Sequence, residues 1–121
     1  MATTRPLDYT VQFNEKGYVN LDTAGWETII VHIIGMTGTF YFNHSNDGGA
    51  VQGELPDNSP QTAINFEPVQ GENLATGSES VSTATPGLYR FQYIGQYLQI
   101  TNNAGTANTV TKLLITFNKI S

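Results

Sequence analysis

The feature that most constrains this chain is its alternation of apolar and polar residues with a period of two, with helical spacing nowhere sustained. Successive side chains of an extended strand point to opposite faces, so such alternation marks strands that lay one face on a core. Glu27 to Ile34 is the most β-branched run. There Ile29, Val31 and Ile33 share one face, and Ile30, His32 and Ile34 share the other, which predicts a central strand covered on both sides. Phe40 and Phe42 point inward from the Thr39 to Asn43 strand. Tyr89, Phe91 and Tyr93 alternate in the same way, as do Leu98 with Ile100, and Leu113 with Ile115 and Phe117.

Turn signals separate these runs. Asn14 to Gly17, Gly35 to Gly38, Ser45-Asn46-Asp47-Gly48-Gly49 and Thr101 to Asn108 punctuate the chain, and Thr23-Ala24-Gly25-Trp26 breaks the strand that starts at Tyr18. Tyr9, Val11 and Phe13 read as an N-terminal strand. Gln61 to Val69 reads as a strand using Ile64 and Phe66, placed at an edge by Pro68. Gly71 to Pro86, rich in Ser, Thr, Gly and Ala, reads as a long loop with one short strand around Ser80 to Thr83. Roughly eight or nine short strands at a spacing of ~8–12 residues predict an all-β, two-sheet antiparallel sandwich. The pattern leaves a jelly-roll-like and an Ig-like arrangement equally open. Residues 1–121 read as one domain, with 1–7 as an N-terminal arm that docks on a neighbour.

Composition narrows the function. The chain has 121 residues and no cysteine, which removes disulfide frameworks, thiolate metal sites and cysteine nucleophiles. Only 12% of residues are charged, and Thr, Asn, Gln, Ser and Gly take their place. The net charge is −5, and Arg5, Lys16, Arg90, Lys112 and Lys119 are scattered rather than clustered, which argues against nucleic-acid binding. The longest apolar stretch, Ile29 to Ile34, is broken by His32 and is too short to span a bilayer. No secretory signal is visible near Met1, so no membrane partner and no export address are expected.

Catalytic equipment is sparse. His32 sits among apolar residues on a strand, and His44 opens a turn beside Ser45. Neither has a Ser or carboxylate at a spacing that suggests an oriented dyad. Asp47, Glu54, Asp57, Glu67 and Glu72 are loop acids without the paired arrangement that a glycosidase needs. Asn46-Asp47-Gly48-Gly49 offers oxygen ligands but lacks the spacing of a calcium loop. The expectation is therefore a non-enzyme with no cofactor, no metal and no catalytic residue. Trp26, Tyr41, Tyr93 and Tyr97 are the candidate interface or ligand residues. Tyr41 and Tyr97 alternate out of phase with the core positions, and exposed aromatics suit either a protein interface or a sugar platform.

The stretch from Asp22 through Trp26 to Val31, then Gly35 and the Thr39 to Asn43 strand, is followed by Ser45-Asn46-Asp47-Gly48-Gly49, Gly87-Leu88-Tyr89-Arg90-Phe91 and Tyr97-Leu98-Gln99-Ile100. In that order, over roughly positions 18 to 118, these motifs resemble small β-sandwich structural proteins of tailed-bacteriophage virions: head-decoration, head-fibre, and tail or baseplate modules. The resemblance implies a capsid decoration or auxiliary head protein that binds the assembled shell. Its partners would be the major capsid protein or other virion proteins, with homo-oligomers allowed. The implied location is the virion, assembled in the host cytoplasm. The alternative is a tail or head-fibre module that binds a receptor or glycan. It carries no catalytic residues to transfer.

Overall fold

The structure, a computed structural model, describes residues 2–3, 5–23, 25–46, 65–92, 96–102 and 109–119. Two antiparallel sheets pack face to face. One short helix, α1 (Thr10–Lys16), precedes the first long strand. In chain order the strands are β1 (Ala2–Thr3), β2 (Leu7–Asp8), β3 (Tyr18–Asp22), β4 (Thr28–Met36), β5 (Phe40–Ser45), β6 (Glu67–Pro68), β7 (Gly71–Asn73), β8 (Glu79–Ser80), β9 (Ser82–Thr83), β10 (Gly87–Phe91), β11 (Tyr97–Thr101) and β12 (Val110–Lys119). The larger sheet runs β12-β4-β10-β7-β8, with β1 and β2 both on the outer edge of β12. The smaller runs β3-β11-β5, with β6 and β9 on the far edge of β5.

The pairing is nested. β2 pairs with β12, β3 with β11, β4 with β10 and β5 with β9, all antiparallel. The chain is thus one long hairpin, rolled so that β12 also meets β4 and β11 also meets β5. This is jelly-roll connectivity, which resolves the choice the sequence left open. The hairpin β7–β8 sits near the tip of the roll and widens the larger sheet.

The core lies between the sheets. Ile29, Val31 and Ile33 of β4 face Phe40 and Phe42 of β5, Val19 and Leu21 of β3, Leu98 and Ile100 of β11, Tyr89 and Phe91 of β10, and Leu113, Ile115 and Phe117 of β12. The alternation of the sequence supplies these inward positions. Tyr89 also ties the layers together. Its ring is buried, and its hydroxyl donates to the Thr85 carbonyl at 2.6 Å and lies 2.6 Å from Thr83 Oγ1. A buried phenol therefore keeps a polar partner while its ring packs against Phe42, 5.7 Å away.

Three elements differ from the sequence reading. Thr10 to Lys16, flanked by Tyr9 and Gly17 as caps, is a helix, not a strand and turn. Val11 is 67% exposed, whereas Phe13 is fully buried against Phe40, with ring centroids 4.6 Å apart. Tyr9 and Phe13 stand four residues apart, the spacing of one helical face, and Gly17 closes the helix with φ +80°. The helix persists because it docks on β12. Tyr9 N–H donates to the Leu113 carbonyl, and Leu113 N–H donates to Thr10 Oγ1. Asn14 exchanges both of its amide groups with the Val110 backbone, at 3.0 and 2.9 Å. Side chains thereby satisfy the start of β12, and β2 takes over at Leu114 and Ile115. An otherwise open edge is covered.

The second difference is Gly71 to Pro86. It carries β7, β8 and β9 rather than one short strand in a long loop. These pieces are short and polar, so alternation gave them no signal. The third is β4. It is central, but its two faces are unequally covered: Ile29, Val31 and Ile33 are buried, whereas Ile30, His32 and Ile34 are half-buried on the outside of the larger sheet. Pro68 does lie at a sheet edge, in β6. Of the expected strand over Gln61 to Val69, residues 61–64 lie outside the described residues, and within 65–69 only Glu67 and Pro68 are strand. The N-terminal arm meets its own chain, with Ala2 opposite Lys119 and Leu7 opposite Ile115.

Asp8 starts α1. Its carboxylate accepts from Thr10 N–H at 2.9 Å and from the Thr10 hydroxyl, which holds its pKa below the ordinary Asp value. A lowered folded-state pKa contributes stability above the unfolded value of about 3.9, and that contribution is lost as pH falls through the folded value. The urea midpoints of the wild type and Asp8→Asn should therefore differ near neutral pH and converge in acid. A gap that persisted unchanged into acid would contradict this role.

Candidate docking face

Register places the outward residues of the larger sheet in rows. One row runs Leu114, His32, Leu88 across β12, β4 and β10. Leu74 N–H donates to the Leu88 carbonyl at 2.9 Å, which extends the pairing one residue past β7 and brings Leu74 alongside Leu88. The next row runs Thr116, Ile30, Arg90, Glu72, Glu79 from β12 to β8. On the other side, Ile34 lies opposite Lys112. Leu88 and Leu74 are each 41% exposed, while Ile30, Ile34 and Leu114 are half-buried. The result is an apolar strip on the outside of a sheet, bordered by charge.

This strip is unusual for physical reasons. A sheet with one solvated face puts polar residues outward, as the alternation rule expects. Here four aliphatic side chains of the adjacent strands β12, β4 and β10 take outward positions instead, and Leu74, just past β7, joins them beside Leu88. Isolated apolar residues on a surface need no explanation, but contiguous ones mark a surface that meets a partner. Arg90 pairs with Glu72 across the β10–β7 ladder, and both are partly exposed. Such a pair adds little stability.

The smaller sheet turns a different face outward. Asn20, Gln99 and Asn43 form an amide ladder across β3, β11 and β5. Asn43 Nδ2 donates to Gln99 Oε1 at 3.3 Å, and Gln99 Nε2 donates to Asn20 Oδ1 at 3.1 Å. Tyr18, Thr101 and Tyr41 form the row on one side, and Asp22, Tyr97 and Ser45 the row on the other.

The four aromatic candidates do not form one platform. Tyr41 and Tyr97 share the outer face of the smaller sheet, as their phase predicts. Tyr41 is half-buried, but Tyr97 is only 5% exposed. That corrects the expectation of an exposed Tyr97: a ring so covered offers no stacking surface. Trp26 lies elsewhere. Its ring packs on Phe117, with centroids 5.7 Å apart, and its backbone N–H donates to the Thr23 carbonyl. Tyr93 lies outside the described residues.

The remaining chemistry-bearing residues are also placed. His32 stands between Leu114 and Leu88 in the apolar strip. His44 is inside β5, opposite Leu98 and Glu67, and does not open a turn. Of the loop acids, Glu67 and Glu72 lie on β6 and β7, in different sheets, and Asp47, Glu54 and Asp57 lie outside the described residues. Asn46 Oδ1 accepts from Gln96 N–H at 2.9 Å, which ties two loops together. Among the described residues, no three His, Asp or Glu side chains gather as a metal site would require.

The sequence reading missed Leu74, Leu88 and Leu114 as surface residues. Leu88 did carry a signal, because it alternates against Tyr89 and Phe91 together with Arg90. Leu74 carried none, since its place depends on the β7–β10 pairing. No known protein family, curated protein or solved structure matches this chain.

Proposed function

We propose that this protein is a non-catalytic docking module of a bacteriophage particle, a decoration or auxiliary head protein that holds the assembled shell through the outer face of its larger sheet. The observation that carries the reading is the apolar strip of Leu114, Leu88 and Leu74, flanked by Ile30 and Ile34, on a face that alternation would make polar. Burying such a strip stabilises a complex by about 25 cal/mol for each Å² of apolar area, before the costs of association. The order of motifs along the chain and the jelly-roll connectivity support the virion as the setting. Fold alone would not carry it.

Co-sedimentation with undecorated shells of the encoding phage tests this reading. The wild type should pellet with the shells, and Leu88→Asp should lose binding at least tenfold while it keeps its circular dichroism. A folded wild type that stays in the supernatant would count against decoration. The same preparations on a glycan array separate the tail-module alternative. Specific glycan binding that is lost in Tyr41→Ala and kept in Leu88→Asp would move the site to the smaller sheet.

A further inference from the structure

We infer that the docking face selects a partner segment that is apolar along its length and cationic at one end, with a lysine or arginine of the partner seated over Glu72 and Glu79. The inference rests on the docking reading above and names the chemistry of the partner.

It begins with a defect in the β7–β8 hairpin. Glu72 and Glu79 are direct cross-strand partners, and their side chains share the outer face. Like charges placed directly opposite each other destabilise a ladder. Arg90 is the cation on the other side of Glu72, opposite it in β10 and ion-paired with it. One arginine is thus set against two carboxylates. Glu79 is exposed and has no cationic partner among the described residues. A cation supplied from outside would relieve the repulsion that the fold leaves in place.

The position of this acid pair gives the partner its shape. Glu72 and Glu79 lie one row from Leu88 and Leu74, the most exposed apolar residues of the strip. A segment lying along Leu114, His32, Leu88 and Leu74 would bring a basic residue at its end to the glutamates. The other charged corner holds both signs: Lys112 stands beside Ile34 on the far side of the strip, and its charge helps the Thr10 hydrogen bonds to hold the Asp8 pKa down. Asp8, opposite Leu114, is already engaged by Thr10. Complementary charge of this kind fixes register and speeds encounter more than it adds affinity.

The test uses the intact ¹⁵N-labelled protein and three synthetic peptides that share an uncharged leucine-containing body and end in lysine, in serine or in glutamate. Amide shifts should move at His32, Leu74, Glu79 and Leu88 with the lysine-ended peptide, and its affinity should exceed that of the glutamate-ended peptide by tenfold or more. Glu79→Lys should remove that preference, and Glu79→Gln should reduce it. The preference should also shrink as salt is raised. If all three peptides occupy the face equally well, or if Glu79→Lys binds as the wild type does, charge selection is overturned and the docking face stands. If no peptide perturbs the face, or the lysine-ended peptide maps elsewhere, both the selection and the docking reading fall.

Discussion

Replacing Phe42 with alanine should lower the unfolding free energy by about 4 kcal/mol, the range seen when a fully buried phenylalanine is removed. Phe42 is 1% exposed and sits where β5 of one sheet meets β10 of the other. Its ring packs edge-on against Phe91, with centroids 4.9 Å apart and planes 81° apart, and it also touches Tyr89. Alanine forfeits the transfer energy of the ring and both aromatic contacts, and it leaves a cavity whose walls belong to two sheets. Those walls are held by separate ladders, so they cannot close in freely. Urea unfolding at an unchanged m-value reads the effect. A loss under about 1 kcal/mol would mean that the sheets do not pack at this point.

The second large effect is expected at Gly71. A Cβ there would lie 2.6 Å from Phe91 Cζ, 2.7 Å from Phe91 Cε2 and 3.3 Å from Phe42 Cε2. The crowding, not the backbone, decides the cost. Phe91 is fully buried and braced by Phe42, so it cannot swing away. Gly71→Ala should cost about 2–3 kcal/mol, the upper part of the range for overpacking a tight core. Shortening the obstacle should reveal the cause. Phe91→Leu removes the atom that the new methyl meets, so the double variant should lose clearly less than the sum of the singles. Simple additivity in this cycle would place the strain elsewhere.

Both predictions concern the same part of the roll, and it is the part least legible in the sequence. Phe42 and Phe91 were readable as core residues from alternation within their own strands. That Gly71 lies against them was not, because a glycine has no side chain to place in a period. The same limit hid β7 and β8. Their residues, Gly71-Glu72-Asn73 and Glu79-Ser80, have no apolar phase; β7 is a strand because β10 offers it a partner edge, and β8 because β7 does in turn.

The helix was misread for a related reason. Tyr9, Val11 and Phe13 satisfy a period of two, whereas Tyr9 and Phe13 alone also satisfy a turn of helix. Val11 decides between these periods, and its exposure is settled only when β12 accepts the Thr10 and Asn14 side chains. Gly17 after Lys16 was the available clue. Among the site residues, Tyr41 was placed on the correct face by phase. Burial of Tyr97 and docking of Trp26 on Phe117 were beyond phase, because they depend on what lies above a face rather than which face it is.

By itself, then, the sequence determined that this chain is all-β, which side chains of β4, β5, β10, β11 and β12 line the core, and that Pro68 belongs at an edge. Alternation along one strand is a local property, and each strand reports its own inward face. Only the tertiary structure decided the nested pairing that makes the sandwich a jelly roll, the helix on the β12 edge, and the apolar strip on the outside of the larger sheet. These arise from register between strands tens of residues apart, and register aligns one strand's outward residues with another's. Leu114, His32, Leu88 and Leu74 become a surface only when four segments of the chain are laid side by side.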